Sequence, residues 1–366
     1  METEQFQKNI KKTGYLLEYQ VSSLLQHHGW IVINNKYYVD DVQGGAREID
    51  IIAYKATAIQ GFHVYTSLII SCKKDEENAW ALLAKNIDKK DPNTNWTPLH
   101  LWSNDDILKY MLDNTAWQQN YLTKNAEIYE TIFSPKSHIF AFQEMSKNSG
   151  KPQNDKKIFS SVSSLMKSQG YELTSLSKRK KEKSLYCFNL LSVVDSDLLK
   201  LNFRGEKIDT EPINDAKYVG NYIINKSETS SRIHFINADA LKIIIKTYNK
   251  LHEHDVSFFN DLYDSYFPDA CKTYNKSKVL IKKLDEMLRR HINWALLEEF
   301  KWRDDVGEID IWWHDEKELL HIETIDNEEY IEFLNSNDKI KEKTASILKD
   351  LYRFEGPFVF SEKIPF

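Results

Sequence analysis

Apolar residues recur at helical spacing between Thr13 and His28, where TGYLLEYQVSSLLQHH sets Leu17, Val21, Leu24 and Leu25 on one stripe, and Gly29 follows as a stop. The pattern then changes to strand period. WIVINNKYYV reads as a β-rich run, DDVQGG as a turn, and REIDIIAY as a second strand with Ile49, Ile51 and Ala53 on one face and Asp50, Ile52 and Tyr54 on the other. KATAIQG reads as a loop. FHVYTSLIISCK, nearly continuous in apolar and β-branched residues, predicts a third strand covered on both faces. EENAWALLAKNI, with acids in its first turn and helix formers after them, predicts a helix from about Glu76. WTPLHLWS predicts a fourth strand, residues 104–131 a helical stretch and SHIFAFQ a further strand. Helix, three strands, helix and strand in that order predict an α/β (α+β) layer, a mixed sheet flanked by helices.

Beyond Gly150 the polar, lysine-rich SKNSGKPQNDKK marks the expected domain boundary. Strands are expected at LYCFNLLSVV, YVGNYII and SRIHFIN, a helix at ADALKIIIKTYNKLHEH, then KVLIKKLDEMLRRHINWALLEEF as helix and GEIDIWWH and ELLHIETI as strands. The expected organisation is therefore a first domain over residues 1–150, a basic linker or helical segment over 151–190, and a second α+β domain over 191–366.

A length of 366 residues supports that division, since single cores rarely grow so large. Hydrophobic residues at 41% and charged residues at 28% allow a sizeable core. There is no apolar run of about 18 residues, and METEQFQKNIKK lacks the apolar stretch of a leader, so a cytoplasmic protein with no membrane partner is expected. Cys72, Cys187 and Cys271 are scattered and form no CxxC pair, which speaks against a disulfide framework or a zinc site. Net charge is −6, but residues 151–190 hold 9 Lys/Arg against 3 Asp/Glu. That segment reads either as a solvated helix and loop surface or as a patch that contacts phosphates through Lys178, Arg179, Lys180 and Lys181.

Candidate chemistry gathers in the first hundred residues. Glu18 lies beside the apolar stripe of the first helix, Asp50 in the second strand and Lys73 at the end of the third. Strand alternation puts Ser71 and Lys73 on one face with Cys72 turned away, so two acids and one amine can meet at one point. The succession GYLLE, GG..REIDIIA and LIISCKK resembles the PD-(D/E)xK nuclease superfamily, the restriction-endonuclease-like fold, in its Mrr-like branch. The resemblance implies a metal-dependent endonuclease that hydrolyses phosphodiester bonds in DNA, in a restriction or phage-defence setting. It implies Mg2+ (or Mn2+) held by Asp50, Glu18 and the Cys72 backbone carbonyl, with Lys73 orienting or deprotonating the attacking water or neutralising charge on phosphorus.

Ser71 departs from the pattern, which has a carboxylate at that position. Three readings stay open: an acid among Asp75, Glu76 and Glu77 supplies the missing oxygen, Glu18 and Asp50 suffice with Ser71 acting through water, or catalysis is lost and the fold serves as a nucleic-acid-binding or protein-interaction module. A purely structural reading makes Asp50 and Lys73 an ion pair at the strand ends.

Near the C-terminus DDVGEIDIWWHDEKELLHIET echoes the same cadence, with Asp310 matching Asp50, Glu323 close to the place of Ser71, and Ile325 where a lysine would stand. It reads as a hairpin of similar composition, with a degenerate duplicate left open and no second active site expected. His27, His28, His252 and His254 read as solvated helix-end residues, and Trp302, Trp312 and Trp313 as packing residues rather than base-stacking ones. P-loop, GxGxxG and GxSxG motifs are absent. The expected partner is double-stranded DNA, with a homodimer or protein contact through the C-terminal domain.

Overall fold

The computed structural model describes residues 3–40, 44–88, 90–224 and 226–363. α1 (Thr3–Ile10) precedes α2 (Tyr15–His27), whose Leu17, Val21 and Leu25 are buried and which stops at Gly29 with φ 79°. An antiparallel meander follows: β1 (Ile31–Val39), β2 (Ala46–Ile59) and β3 (Phe62–Lys74). Residues 41–43 of the expected DDVQGG turn lie outside the described residues, but the Asp40 N–H donates to the Gly45 carbonyl at 2.9 Å and closes it. The expected loop at KATAIQG is instead the end of β2. Ile59 pairs with Phe62 across Gln60-Gly61, and Gly61 at φ 96° supplies the left-handed residue such a tight reversal needs.

The expected helix near Glu76 is a strand, β4 (Asn78–Lys85). Its alanines and leucines favour helix in isolation, but pairing with neighbours on both edges buries Ala79 through Leu82 and outweighs that preference. Next come β5 (His100–Ser103), α3 (Asp106–Asp113), α4 (Ala116–Thr123), the short α5 (Ala126–Ile128) and β6 (His138–Ser146). α6 (Lys156–Arg179) leads to β7 (Ser184–Asp195), then β8 (Leu198–Arg204), β9 (Lys207–Pro212), β10 (Asp215–Ile224), β11 (Ser227–Asn237) and α7 (Leu241–Asp264). The remaining elements are α8 (Tyr274–Val279), α9 (Ile281–Phe300), β12 (Asp310–His314), β13 (Leu319–Glu323), α10 (Glu328–Ser336), α11 (Asp338–Tyr352) and β14 (Phe358–Ser361).

The chain divides into two compact units, Met1–Asp105 with Thr115–Phe259, and Asp106–Asn114 with Asn260–Phe366. The expected boundary near Gly150 is therefore not a boundary. β7 lies between β3 and β11, parallel to both, at the centre of a seven-stranded mixed sheet ordered β1-β2-β3-β7-β11-β10 with β5 also on β7. α6 is not a linker either. It buries Ile158, Val162, Leu165 and Met166 in the core cluster that holds Ile52, Ile69, Leu190 and Phe235. Ser161 bonds Ser192 of β7 at 2.8 Å, a close contact that a small residue permits. α2 covers the other face, where Ser22 bonds Asn34 at 2.7 Å and Asn34 stands opposite Ile51. Cover on both faces explains the unbroken apolar run of β3.

A four-stranded sheet, β6-β4-β8-β9, completes the first unit, and β12-β13-β14 forms the sheet of the second. The fold class is thus mixed α+β with a multi-strand mixed sheet flanked by helices, as expected. Among the described residues no helix is long and apolar enough to cross a membrane.

Candidate active site

β2 is irregular where it carries Asp50. Ile49 and Ile52 belong to one core cluster, which strict alternation forbids for residues three apart, so the expected split of faces along REIDIIAY does not hold. Across from Asp50, Asn35 of β1 sits in the left-handed region at φ 52°, and the β1–β2 register passes over both residues. Pairing of β2 with β3 starts only at Ile51 and Ile70. The Asp50 side chain replaces the missing ladder contact: its Oδ2 accepts the Cys72 backbone N–H at 2.7 Å. The same oxygen accepts the Ser71 hydroxyl at 3.2 Å and Lys73 Nζ at 3.3 Å. Ser71 is buried, whereas Asp50 and Lys73 each keep part of their side chains in solvent.

Glu18 approaches from α2 and is half-buried. Desolvation raises its carboxyl above the usual range, the Asp50 charge raises it further, Lys73 opposes, and Glu48 adds a smaller push upward. Sequence reading missed Glu48, which bonds Asn35 Nδ2 at 2.5 Å. Its place two residues before Asp50 in a strand was the available signal. The helix-borne acid, the strand acid and the terminal lysine are thus brought together.

Among the described residues no group of three or more His, Cys, Asp or Glu is arranged to hold a metal ion. The oxygen set nevertheless suits a hard cation that keeps several waters. All three contacts to Asp50 fall on Oδ2, so Oδ1 takes part in none of them. Because the N–H and C=O of a strand residue leave the same edge, the Cys72 carbonyl faces the β2 side, as its N–H does. Asp50 Oδ1, the Glu18 carboxylate and that carbonyl are the atoms that fit.

Other expected contributors are engaged elsewhere. Asp75 is buried, bonds Asn78 N at 3.1 Å and pairs with Lys157 at 3.0 Å. Burial pushes its carboxyl up, but those partners prevail and hold it below the ordinary value. Glu76 pairs with Lys74 at 2.9 Å. Neither acid stands in for the carboxylate that Ser71 lacks, because the chain continues as β4 rather than turning back as a helix. In the basic segment Arg179 pairs with Glu172 at 2.7 Å, and Lys180 donates to the Tyr65 hydroxyl at 2.7 Å, while Lys178 and Lys181 are exposed. Tyr65 and Lys73 lie at opposite ends of β3, roughly 26 Å apart for an extended strand, so residues 178–181 do not border the candidate site, whereas Lys157 at the start of α6 reaches Asp75 just beyond Lys73.

His252 and His254 are buried, not solvated. His252 sits between Thr57 at 2.8 Å and Thr66 at 3.0 Å, and Thr66 donates to the fully buried Asp255 at 2.5 Å. Tyr121 donates to the same carboxyl at 2.7 Å. The spacing of His252 and Asp255 with Tyr248 and Leu251, one face of α7, was the signal in the sequence. The three cysteines are buried and free. Trp312 stacks on His321 at 4.0 Å between ring centres and Trp302 packs on Tyr330 at 5.9 Å, so both serve packing in the second unit. Comparison of the chain with family models, with curated proteins and with solved structures found no match.

Proposed function

We propose that the first unit is a PD-(D/E)xK-type nuclease that hydrolyses phosphodiester bonds in double-stranded DNA in the cytoplasm, with Mg2+ or Mn2+ held by Asp50, Glu18 and the Cys72 carbonyl. One observation carries the reading: Lys73, Ser71 and the Cys72 N–H converge on a single oxygen of Asp50, and Glu18 lies within its field. When bound, the cation supplies Lewis-acid polarisation and a more acidic water.

The chain's own groups would do the rest. Lys73, partly exposed, presents its ammonium where negative charge accumulates on the phosphoryl oxygens. Glu18, half-buried beside Asp50, would hold the cation or a water bound to it, and Lys73 would orient the attacking water. The Cys72 N–H and the Ser71 hydroxyl hold Asp50 in one orientation.

Ser71 favours a second reading, a nuclease-like unit that binds nucleic acid or a protein without cutting. It places a hydroxyl where the resemblance implies a carboxylate, and Asp75 is paired elsewhere. Incubation of supercoiled and linear DNA with the full chain in Mg2+ or Mn2+ separates the two. Cleavage that is lost on adding chelator and falls by about a hundredfold or more in Lys73→Ala supports the enzyme. Metal-independent binding with no cleavage by the wild type supports the module.

A further inference from the structure

A cavity of about 290 Å3 lies in the first unit where β10, the outermost strand of the seven-stranded sheet, meets β8 and β9. Asp215 and Lys217 of β10, Lys200 of β8 and Glu211 of β9 line it, together with Lys136 and Ser137 just before β6. That space holds one tetrahedral anion and several waters, at about 30 Å3 for each water. Strand alternation puts Asp215 and Lys217 on one face of β10, with His234 of β11 directly opposite Lys217. Asp215 Oδ2 is bonded by Lys217 Nζ at 2.7 Å and by His234 Nε2 at 2.9 Å, and His234 Nδ1 meets the Tyr248 hydroxyl at 3.0 Å. Burial pushes His234 down to about 4, so the ring adds no charge near neutrality.

Positive charge is in excess around this cavity. Arg232, two residues before His234 on the same face, is buried with its guanidinium over the Phe133 ring and one N–H donated to the Pro98 carbonyl at 3.2 Å. Among the described residues neither Arg232 nor the exposed Lys136 has a carboxylate partner, and Glu211 is taken by Lys200 at 2.6 Å. Four cations therefore share two carboxylates, Asp215 and Glu211. Burial lowers the Lys217 ammonium, Asp215 opposes, and the charges of Lys136 and Arg232 lower it further. The net direction is downward although a carboxylate lies 2.7 Å away. Lys217 is buried and gives Asp215 only one of the three hydrogen bonds that an ammonium can make. The side chains of Ser137 and Asn214 stand in the same wall and bond nothing among the described residues.

We propose that this cavity binds a phosphoryl group, held by the Lys136 and Lys217 ammonium groups with Ser137 and Asn214 as neutral donors. Two ammonium groups favour a dianion over a single carboxylate, and lysine serves phosphate as a point charge. The bound anion balances cations that are costly to bury without one. The site is separate from the candidate active site: Asp215, Ile236, Val193 and Cys72 form one row, so β10 stands three strands from β3, about 14 Å across the sheet. It does not depend on the function proposed there.

Calorimetric titration of the full chain with inorganic phosphate, in chelator and at constant ionic strength set by chloride, tests the proposal. Wild type is expected to bind phosphate at a single site. Lys136→Ala, at an exposed position, is expected to weaken that binding about tenfold, the weight of one charge-assisted hydrogen bond. Lys217→Met is expected to abolish it, and Lys136→Ala alone decides the matter if that variant fails to fold. Lys178→Ala, an exposed lysine outside the cavity, is expected to change nothing. A nucleoside 5′-monophosphate and a 5′-phosphorylated single-stranded oligonucleotide, each compared with its unphosphorylated form, distinguish a small molecule from a nucleic-acid end as the source of the group. A gain from the phosphate in either one that is lost in Lys136→Ala supports the proposal. Absence of phosphate binding by wild type, binding unchanged in Lys136→Ala, or equal losses in Lys136→Ala and Lys178→Ala overturn it.

Discussion

Cys72 donates its backbone N–H to Asp50 Oδ2 at 2.7 Å, closer than the side-chain donors Ser71 at 3.2 Å and Lys73 at 3.3 Å. Asp50 is therefore part of the sheet as well as a candidate ligand. Asp50→Ala removes the acceptor of a buried N–H and is expected to cost about 1–3 kcal/mol in urea unfolding. Asp50→Asn keeps an oxygen there and is expected to cost less than about 1 kcal/mol while removing metal-dependent cleavage. Equal losses from the two substitutions would show that the backbone contact has no structural weight.

Ser71 separates support from ligation. Its bond to Asp50 is long, so Ser71→Ala is expected to change stability by less than about 1 kcal/mol and cleavage only a few-fold. Ser71→Asp adds charge beside Asp50 and is expected to tighten Mn2+ binding about tenfold, ligand charge being a main lever on affinity for hard cations. In chelator the same variant should melt lower than wild type, since like charges then lie together near Ser192 in a buried position. Calorimetric titration and melting curves read both effects, and unchanged Mn2+ affinity would remove Ser71 from the site.

The buried acid of α7 sets a pH dependence. Burial raises the Asp255 carboxyl to about 7 against hydrogen bonds from Thr66, Tyr121 and Cys187 that lower it. An unfolded aspartate titrates near 3.9, so between about 4 and 7 the folded chain holds a proton that the unfolded chain has released. This group's contribution to stability therefore falls as pH rises through that window, and the loss is complete above about 7. His252 and His234, which burial lowers to about 4, act in the opposite sense. Their contribution is present above about 6.5 and is lost as pH falls toward 4. Asp255→Asn isolates the acid: its melting temperature relative to wild type should climb from pH 4 to 7 and then level off. A flat difference would mean that Asp255 is not protonated in the folded chain.

Lys178 and Lys181 are expected to matter little to chemistry at the far end of β3. Lys178→Ala with Lys181→Ala should leave the cleavage rate unchanged and alter the slope of log affinity against log salt by less than about 1. A drop of about 2 would mean that both lysines contact phosphates.

Strands and helices with strong periodicity were legible in the sequence: the α2 stripe, the three strands of the meander and the long helices α7 and α9 all follow from local spacing. The candidate quartet Glu18, Asp50, Ser71 and Lys73 was legible in part: alternation sets Ser71 and Lys73 on one face of β3, but the irregularity of β2 at Asp50 brings its carboxylate to them. Their residue types likewise limit the chemistry to oxygen ligands and an ammonium group.

Tertiary structure alone decided the remainder. NAWALLAK became a strand because neighbours on both edges offered hydrogen bonds that local propensity does not anticipate. The serine-rich residues 156–179 became the helix against the central sheet because small polar side chains can pair across a close interface, as Ser161 does with Ser192. The commitment of Asp75 to Lys157, the separation of residues 178–181 from Lys73, and the opposition of Glu323 to Asp310 all depend on register. Register is a long-range property. It is set by which strands meet across a sheet, and no window of sequence contains both partners.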